Sequence, residues 1–238
     1  MSLRALSIAA AGGRALQHQI DTIARNLANL NSPGYKRVRA NASDGARLLS
    51  TDTLFENGKL QATHRELDLA IEGEGFFRVR TPDDRVAFTR SGTLNRDGLG
   101  NLVTPEGWLL DPPVQVPPTI SKLVIDPSGF VQGFDAESPE ALEPIGQIEI
   151  SRFANPSGLE SAGGSLFRET AAAGERVDGR PGDGLGFVRQ GHLEQSNVDS
   201  VREMADLVQA QRAFELNLRT IQAADEILQS INSLRRKS

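Results

Sequence analysis

Three histidines, His18, His64 and His192, are the side chains best able to bind a metal or move a proton near neutral pH, and they lie in three separate stretches of the chain. None has a second histidine at metal-ligand spacing, so solvated or capping roles account for them and no metal site is expected. Gly73-Glu74-Gly75 begins like a dinucleotide loop, yet Arg78 stands where the last glycine is needed, and Glu72 and Glu74 would repel a pyrophosphate. Gly182, Gly184 and Gly186 fail in the same way, with Phe187 and Arg189 at the critical places. Asp83-Asp84 follows Pro82 and reads as a solvated turn rather than an acid/base pair. Neither a phosphate-cradling Walker loop nor a G-x-S-x-G nucleophile turn occurs. No catalytic, cofactor-binding or metal-binding residue is assigned, and no enzyme activity and no cofactor are expected.

The bulk numbers narrow the remaining classes. A net charge of −5 gives nucleic acid or an anionic membrane little to bind, and no apolar run approaches the roughly 20 residues of a membrane span. The absence of cysteine excludes disulfides and thiolate metal sites. With 38% hydrophobic residues, the apolar share is below that of a typical compact domain, so part of the chain is expected to find its core in partners.

Glycine and proline divide the chain. Up to Ser32 the only breakers are Gly12 and Gly13, and after Gly191 there are none. Both ends are therefore read as helices. In the first, Leu16, Ile20, Ile23, Leu27 and Leu30 follow a 4/3 spacing that reads as a coiled-coil seam, ended by Pro33-Gly34. In the second, Ser200 and Glu203 form an apparent capping box. Val201, Met204, Val208, Phe214, Leu218, Ile221, Leu228 and Ile231 then fall on a 3/4 repeat interrupted by Gln211 and Asp225. At about 1.5 Å per residue the helices would span roughly 40 and 50 Å, too long for a small globule. Short β-prone runs such as Phe76–Arg80, Lys122–Ile125 and Gly146–Ile150 alternate with turn clusters between them.

The expected fold is thus a mainly β middle domain flanked by long N- and C-terminal α-helices that pair as a coiled coil. Its expected parts are an N-terminal helix over 1–33, an extended connector over 34–66, a β-rich domain over 67–191 and a C-terminal helix over 192–238. The competing reading makes both helices core elements of one compact domain.

Four segments together resemble one family along nearly the whole chain, the rod and hook proteins of the bacterial flagellar basal body. They are Ala24-Arg25-Asn26-Leu27-Ala28-Asn29-Leu30-Asn31-Ser32-Pro33-Gly34-Tyr35-Lys36, then Asp68 to Phe77 followed by Phe88-Thr89-Arg90-Ser91-Gly92, then Gly158-Leu159-Glu160-Ser161, and finally Gly191 to Asp199 leading into Leu207 to Glu215. The C-terminal run is most similar to the distal rod branch. One departure is the short stretch from Tyr35 to Leu67, where distal rod proteins carry a longer segment.

The resemblance implies a structural subunit that passes through the flagellar export apparatus without a cleaved signal peptide. It implies addition to a hollow helical drive shaft that crosses the periplasm and carries torque from motor to hook. The implied partners are other copies of the chain, other rod and hook proteins and the surrounding ring bushings, with no nucleic acid and no membrane insertion. A proximal rod or hook-basal-body paralogue is the alternative, and a secreted binding module a more distant one. Leu16, Ile20, Ile23, Leu27, Leu30, Phe214, Leu218, Ile221, Leu228 and Ile231 are the expected polymerisation interface. Asn26, Asn29, Pro33, Gly34 and Tyr35 form the family-like turn, with helix-end capping expected of the asparagines.

Overall fold

The computed structural model describes residues 2–43, 48–135 and 141–237, with side chains described over 7–42, 49–135, 141–224 and at 226. These residues form two units. The first combines residues 1–30, 37–54 and 198–238; the second combines 31–36 and 55–197.

The first unit holds helices α1 (Ser2–Ala28) and α2 (Ser200–Lys237) and a hairpin of strands β1 (Val38–Ser43) and β2 (Leu48–Thr53). α1 and α2 lie against each other. Glycine explains part of that approach, because a Cβ on Gly12 would sit 3.1 Å from the Asn217 side chain. Asp199, one residue earlier than expected, caps α2: its carboxylate accepts from the N–H groups of Val201 and Arg202, at 3.0 and 3.2 Å. Glu203 therefore makes no capping box and is free to turn into the unit.

The expected coiled coil is corrected here. Val201 is 77% exposed, Met204 57%, Val208 47% and Leu218 42%, so these repeat residues do not form a buried apolar seam. Among the described residues, the buried positions of α2 are instead Glu203 and Ala210, and those of α1 are Ala11, Thr22, Ile23 and Asn26. Such small and polar residues bring helices close without an apolar knobs-into-holes ladder. The side chains of Leu228 and Ile231 lie outside the described residues.

The second unit is built of strands. β3 (Leu60–Ala62) pairs with His192–Glu194, and β4 (Leu69–Glu72) pairs with Phe187–Gln190, both antiparallel. β5 (Phe76–Arg80) and β6 (Val86–Thr89) form the middle of a nine-stranded sheet. A three-stranded sheet runs through Ile120–Ile125, Phe130–Asp135 and Leu142–Gln147. Because successive strand residues face opposite sides, Phe76 and Phe77 of β5 enter different cores. Phe77 joins the aliphatic cluster around Leu69, Ile71 and Ile150, while Phe76 joins Phe88, Phe153 and Phe167. The aromatic group is held edge to face, with Phe88 and Phe153 centroids 4.8 Å apart and nearly perpendicular.

Candidate functional site

Among the described residues, a buried polar cluster joins distant segments within each unit. In the first unit, α1 ends at Ala28, and the Asn29 side chain donates to the Arg25 carbonyl at 2.9 Å, the helix-end role expected of it. Asn26 does something else. Its Nδ2 donates to the Val38 carbonyl at 2.8 Å and its Oδ1 accepts from the Val38 N–H at 2.9 Å, so the amide acts as one more strand residue beside β1. The same Nδ2 donates to Glu203 at 3.0 Å, and the other oxygen of Glu203 accepts from Arg37. One buried amide thus joins α1, the hairpin and α2.

In the second unit, the family-like turn is built by a left-handed glycine. Gly34 has φ +67°, and a Cβ there would fall 2.3 Å from the Ser91 nitrogen, so any side chain would clash with backbone. Its N–H donates to the Glu194 carbonyl at 2.7 Å, and the Tyr35 N–H to Ser32 at 3.3 Å. Pro33 and Tyr35 are half-buried. Two residues past Gly34, Lys36 Nζ donates to Glu194 Oε1 and to the Glu56 carbonyl, both at 2.7 Å. Glu194 Oε1 also accepts from the Gly58 N–H at 2.8 Å, and Oε2 from Arg90 at 3.4 Å. The Arg90 guanidinium further donates to the Gly73 carbonyl at 2.8 Å and lies over the Phe76 ring, 5.3 Å from its centroid.

Lys36, Arg90 and Glu194 are all sealed from water. Burial pushes the Lys36 ammonium below its ordinary range, against the pull of Glu194. Burial likewise lowers Arg90, opposed by Glu194 and Glu74. The three come from three of the quoted family-like segments, a convergence that sequence reasoning missed. The sequence marks none of the three apart from the other charged residues of their segments, such as Arg25, Glu72 and Asp199. Glu203 and Arg37 were missed as well.

The expected interface residues are placed as follows. Ile23 is buried; Leu16, Ile20, Leu27, Leu30, Phe214 and Ile221 are half-buried; Leu218 is exposed. Among the described residues no group of His, Cys, Asp or Glu could hold a metal, and no helix is long and apolar enough to cross a membrane.

Buried ion pairs thus tie together segments that are distant in the chain. Family models match three stretches: "Flagella basal body rod protein" over 6–36, "Flagellar hook protein FlgE/F/G D1 domain" over 70–133 and "Flagellar basal body rod FlgEFG protein C-terminal" over 189–234. Each stretch contains one member of the Lys36, Arg90 and Glu194 cluster. The chain is 38% identical to the flagellar basal-body rod protein FlgG of Borreliella burgdorferi, covering 99% of this chain and 100% of that one. Its identity to FlgG of Agrobacterium fabrum is 35%, over 94% and 97%. It is also 31% identical to the flagellar hook-basal body complex protein FlhP of Bacillus subtilis, over 98% and 100%. The chain belongs to the flagellar basal-body rod protein family, and it is a structural rod subunit. The Borreliella alignment runs over 265 positions against the 238 residues here, so that relative has stretches without a counterpart in this chain.

Proposed function

We propose that the chain is a distal-type rod subunit that polymerises through its terminal helices into a hollow drive shaft crossing the periplasm. The observation that carries this reading is the outward face of α2. Val201, Met204 and Val208 recur every three or four residues, so they lie on one side of the helix, and all three are exposed. Apolar side chains grouped in this way gain from burial in an assembly, at about 25 cal/mol per Å² of apolar surface removed from water. Contacts between unlike faces that do not close a ring extend into a helical tube. The half-buried Leu16, Ile20, Leu27, Phe214 and Ile221, with Ile23, Leu30, Leu218, Leu228 and Ile231, complete the proposed interface. Its neighbours are further copies, other rod and hook proteins and the ring bushings, and the chain reaches them through the flagellar export apparatus.

Polymerisation of the purified full chain tests this directly. Sedimentation and electron microscopy are expected to show rod-like polymers that lengthen with concentration. Leu27→Asp is expected to abolish them while leaving the β unit folded. Polymers of wild-type length from the Leu27→Asp chain contradict the interface.

A further inference from the structure

The chain has a single Asn-Gly step, Asn57-Gly58, in the segment that leads into β3. At such a step the glycine nitrogen can attack the asparagine side-chain carbonyl, because the glycine has no Cβ to hinder the approach. Asn57 is exposed, and its Oδ1 accepts from the buried Arg90 guanidinium at 3.3 Å, which draws electrons from that carbonyl. The nucleophile is withheld. The Gly58 N–H donates to Glu194 Oε1 at 2.8 Å, and Lys36 holds that same oxygen at 2.7 Å. Both flanks are pinned as well. The Glu56 carbonyl accepts from Lys36 at 2.7 Å and from Asn197 at 3.1 Å, and the Lys59 carbonyl accepts from the Gln195 N–H at 2.8 Å. Gly58 lies so close to its neighbour that a Cβ on it would fall 1.9 Å from the Gln195 carbonyl oxygen.

We propose that Asn57 is a deamidation site which the folded β unit keeps closed, and that its isoaspartyl product cannot return to the fold. In the open chain the Gly58 nitrogen bonds to Asn57 Cγ and its proton passes to a solvent base. The Cγ–Nδ2 bond breaks, and the amide nitrogen takes a proton from water and leaves as ammonia. Water then opens the resulting succinimide at one or the other carbonyl, giving aspartate or isoaspartate. Isoaspartate carries the main chain through Cβ and Cγ, which makes it one atom longer between residues 57 and 58. With the Glu56 and Lys59 carbonyls held and Gly58 against Gln195, the packed segment has no slack to take up that atom. Aspartate keeps the original main-chain length and refits. Every group involved belongs to the second unit, so the site behaves in this way whether or not the chain polymerises.

The full-length chain is incubated at mildly alkaline pH, once folded and once in concentrated guanidinium chloride, and the tryptic peptide 48–59 is followed by mass spectrometry. Deamidation at Asn57 is expected to run at least tenfold slower in the folded chain. Equal rates in the two states overturn the closed site. Lys36→Met, which loosens the hold on Glu194, is expected to raise both the amide hydrogen exchange of Gly58 and the deamidation of Asn57 severalfold. A rise in one without the other, or in neither, overturns the Glu194 hydrogen bond as the lock. The isoaspartyl chain, separated from the aspartyl one, is then diluted out of denaturant beside the Asn57→Asp variant. Asn57→Asp is expected to regain the near-UV signal of Trp108, and the isoaspartyl chain to fail. An isoaspartyl chain that refolds with the wild-type midpoint, or an Asn57→Asp chain that fails equally, overturns the block by added main-chain length.

Discussion

Lys36 and Glu194, 158 residues apart in the chain, hold Nζ and Oε1 2.7 Å from each other with both side chains sealed from solvent. The pair brings the segment that follows α1 and the strand that precedes α2 together within the β unit. Removing one partner of such a pair leaves the other charge buried. Glu194 satisfies both Lys36 and Arg90, so Glu194→Gln is expected to destabilise the β unit by about 3–5 kcal/mol. Lys36→Met leaves Arg90 still facing its carboxylate and is expected to cost clearly less. Urea unfolding of both variants, followed through the near-UV signal of Trp108 in that unit, gives the ranking.

Gly34 bears on the same root. Its left-handed backbone and the 2.3 Å approach that a Cβ would make to Ser91 lead to a loss of at least about 2 kcal/mol for Gly34→Ala. A lowered midpoint in the same unfolding experiment is the expected result.

In the helical unit, Asn26→Ala leaves both polar groups of Val38 and one oxygen of Glu203 without this partner, at a cost of about 2–4 kcal/mol. Asn26→Asp is expected to be worse still. It keeps the shape but sets a carboxylate against Glu203 and against the Val38 carbonyl. Helix content by circular dichroism against temperature is the readout, with the order wild type, Asn26→Ala, Asn26→Asp.

The helical ends and the β middle were legible because breakers are few at the ends and clustered between them. Phe76–Arg80 reads as a strand and is one, and Asp126-Pro127-Ser128-Gly129 reads as a turn and places Gly129 at φ +79°. The face on which α2 meets α1 was not legible. Counting apolar residues favours Val201, Met204 and Val208, but the contact uses Glu203, Ala210 and Asn217, whose partners Asn26 and Gly12 lie far away in sequence. The hairpin of β1 and β2 was missed because Arg39, Asn41 and Asp52 obscure its alternation. The ion cluster was invisible for a similar reason: a lone lysine, arginine and glutamate look solvated until the fold removes water from all three.

Two turn carboxylates are expected to contribute to the acid limb of stability. The Asn101 side chain, followed by backbone N–H groups, lowers Asp97 below the ordinary carboxyl range despite some desolvation. At Asp126 burial works upward, but hydrogen bonds from Ser128 and Phe130 outweigh it and the net shift is downward. A depressed carboxyl contributes stability that is complete above its unfolded value and lost as pH falls through its folded value. The double variant Asp97→Asn/Asp126→Asn keeps one acceptor oxygen at each position, gives up the bond from Asn101 Nδ2 to the second oxygen of Asp97, and is expected to lose stability less steeply below about pH 4. Urea midpoints measured across that range show the difference as a shallower slope.

The outward face of α2 carries the account of assembly, and its most direct test is incorporation in the cell. Met204→Asp/Val208→Asp alters only exposed positions of the free subunit, so the chain is expected to accumulate and its β unit to resist proteolysis as in wild type. In basal bodies isolated from cells carrying only this variant, the chain is expected to be absent, with rods truncated before the hook in electron micrographs. Wild-type amounts of the variant in complete rods contradict the account.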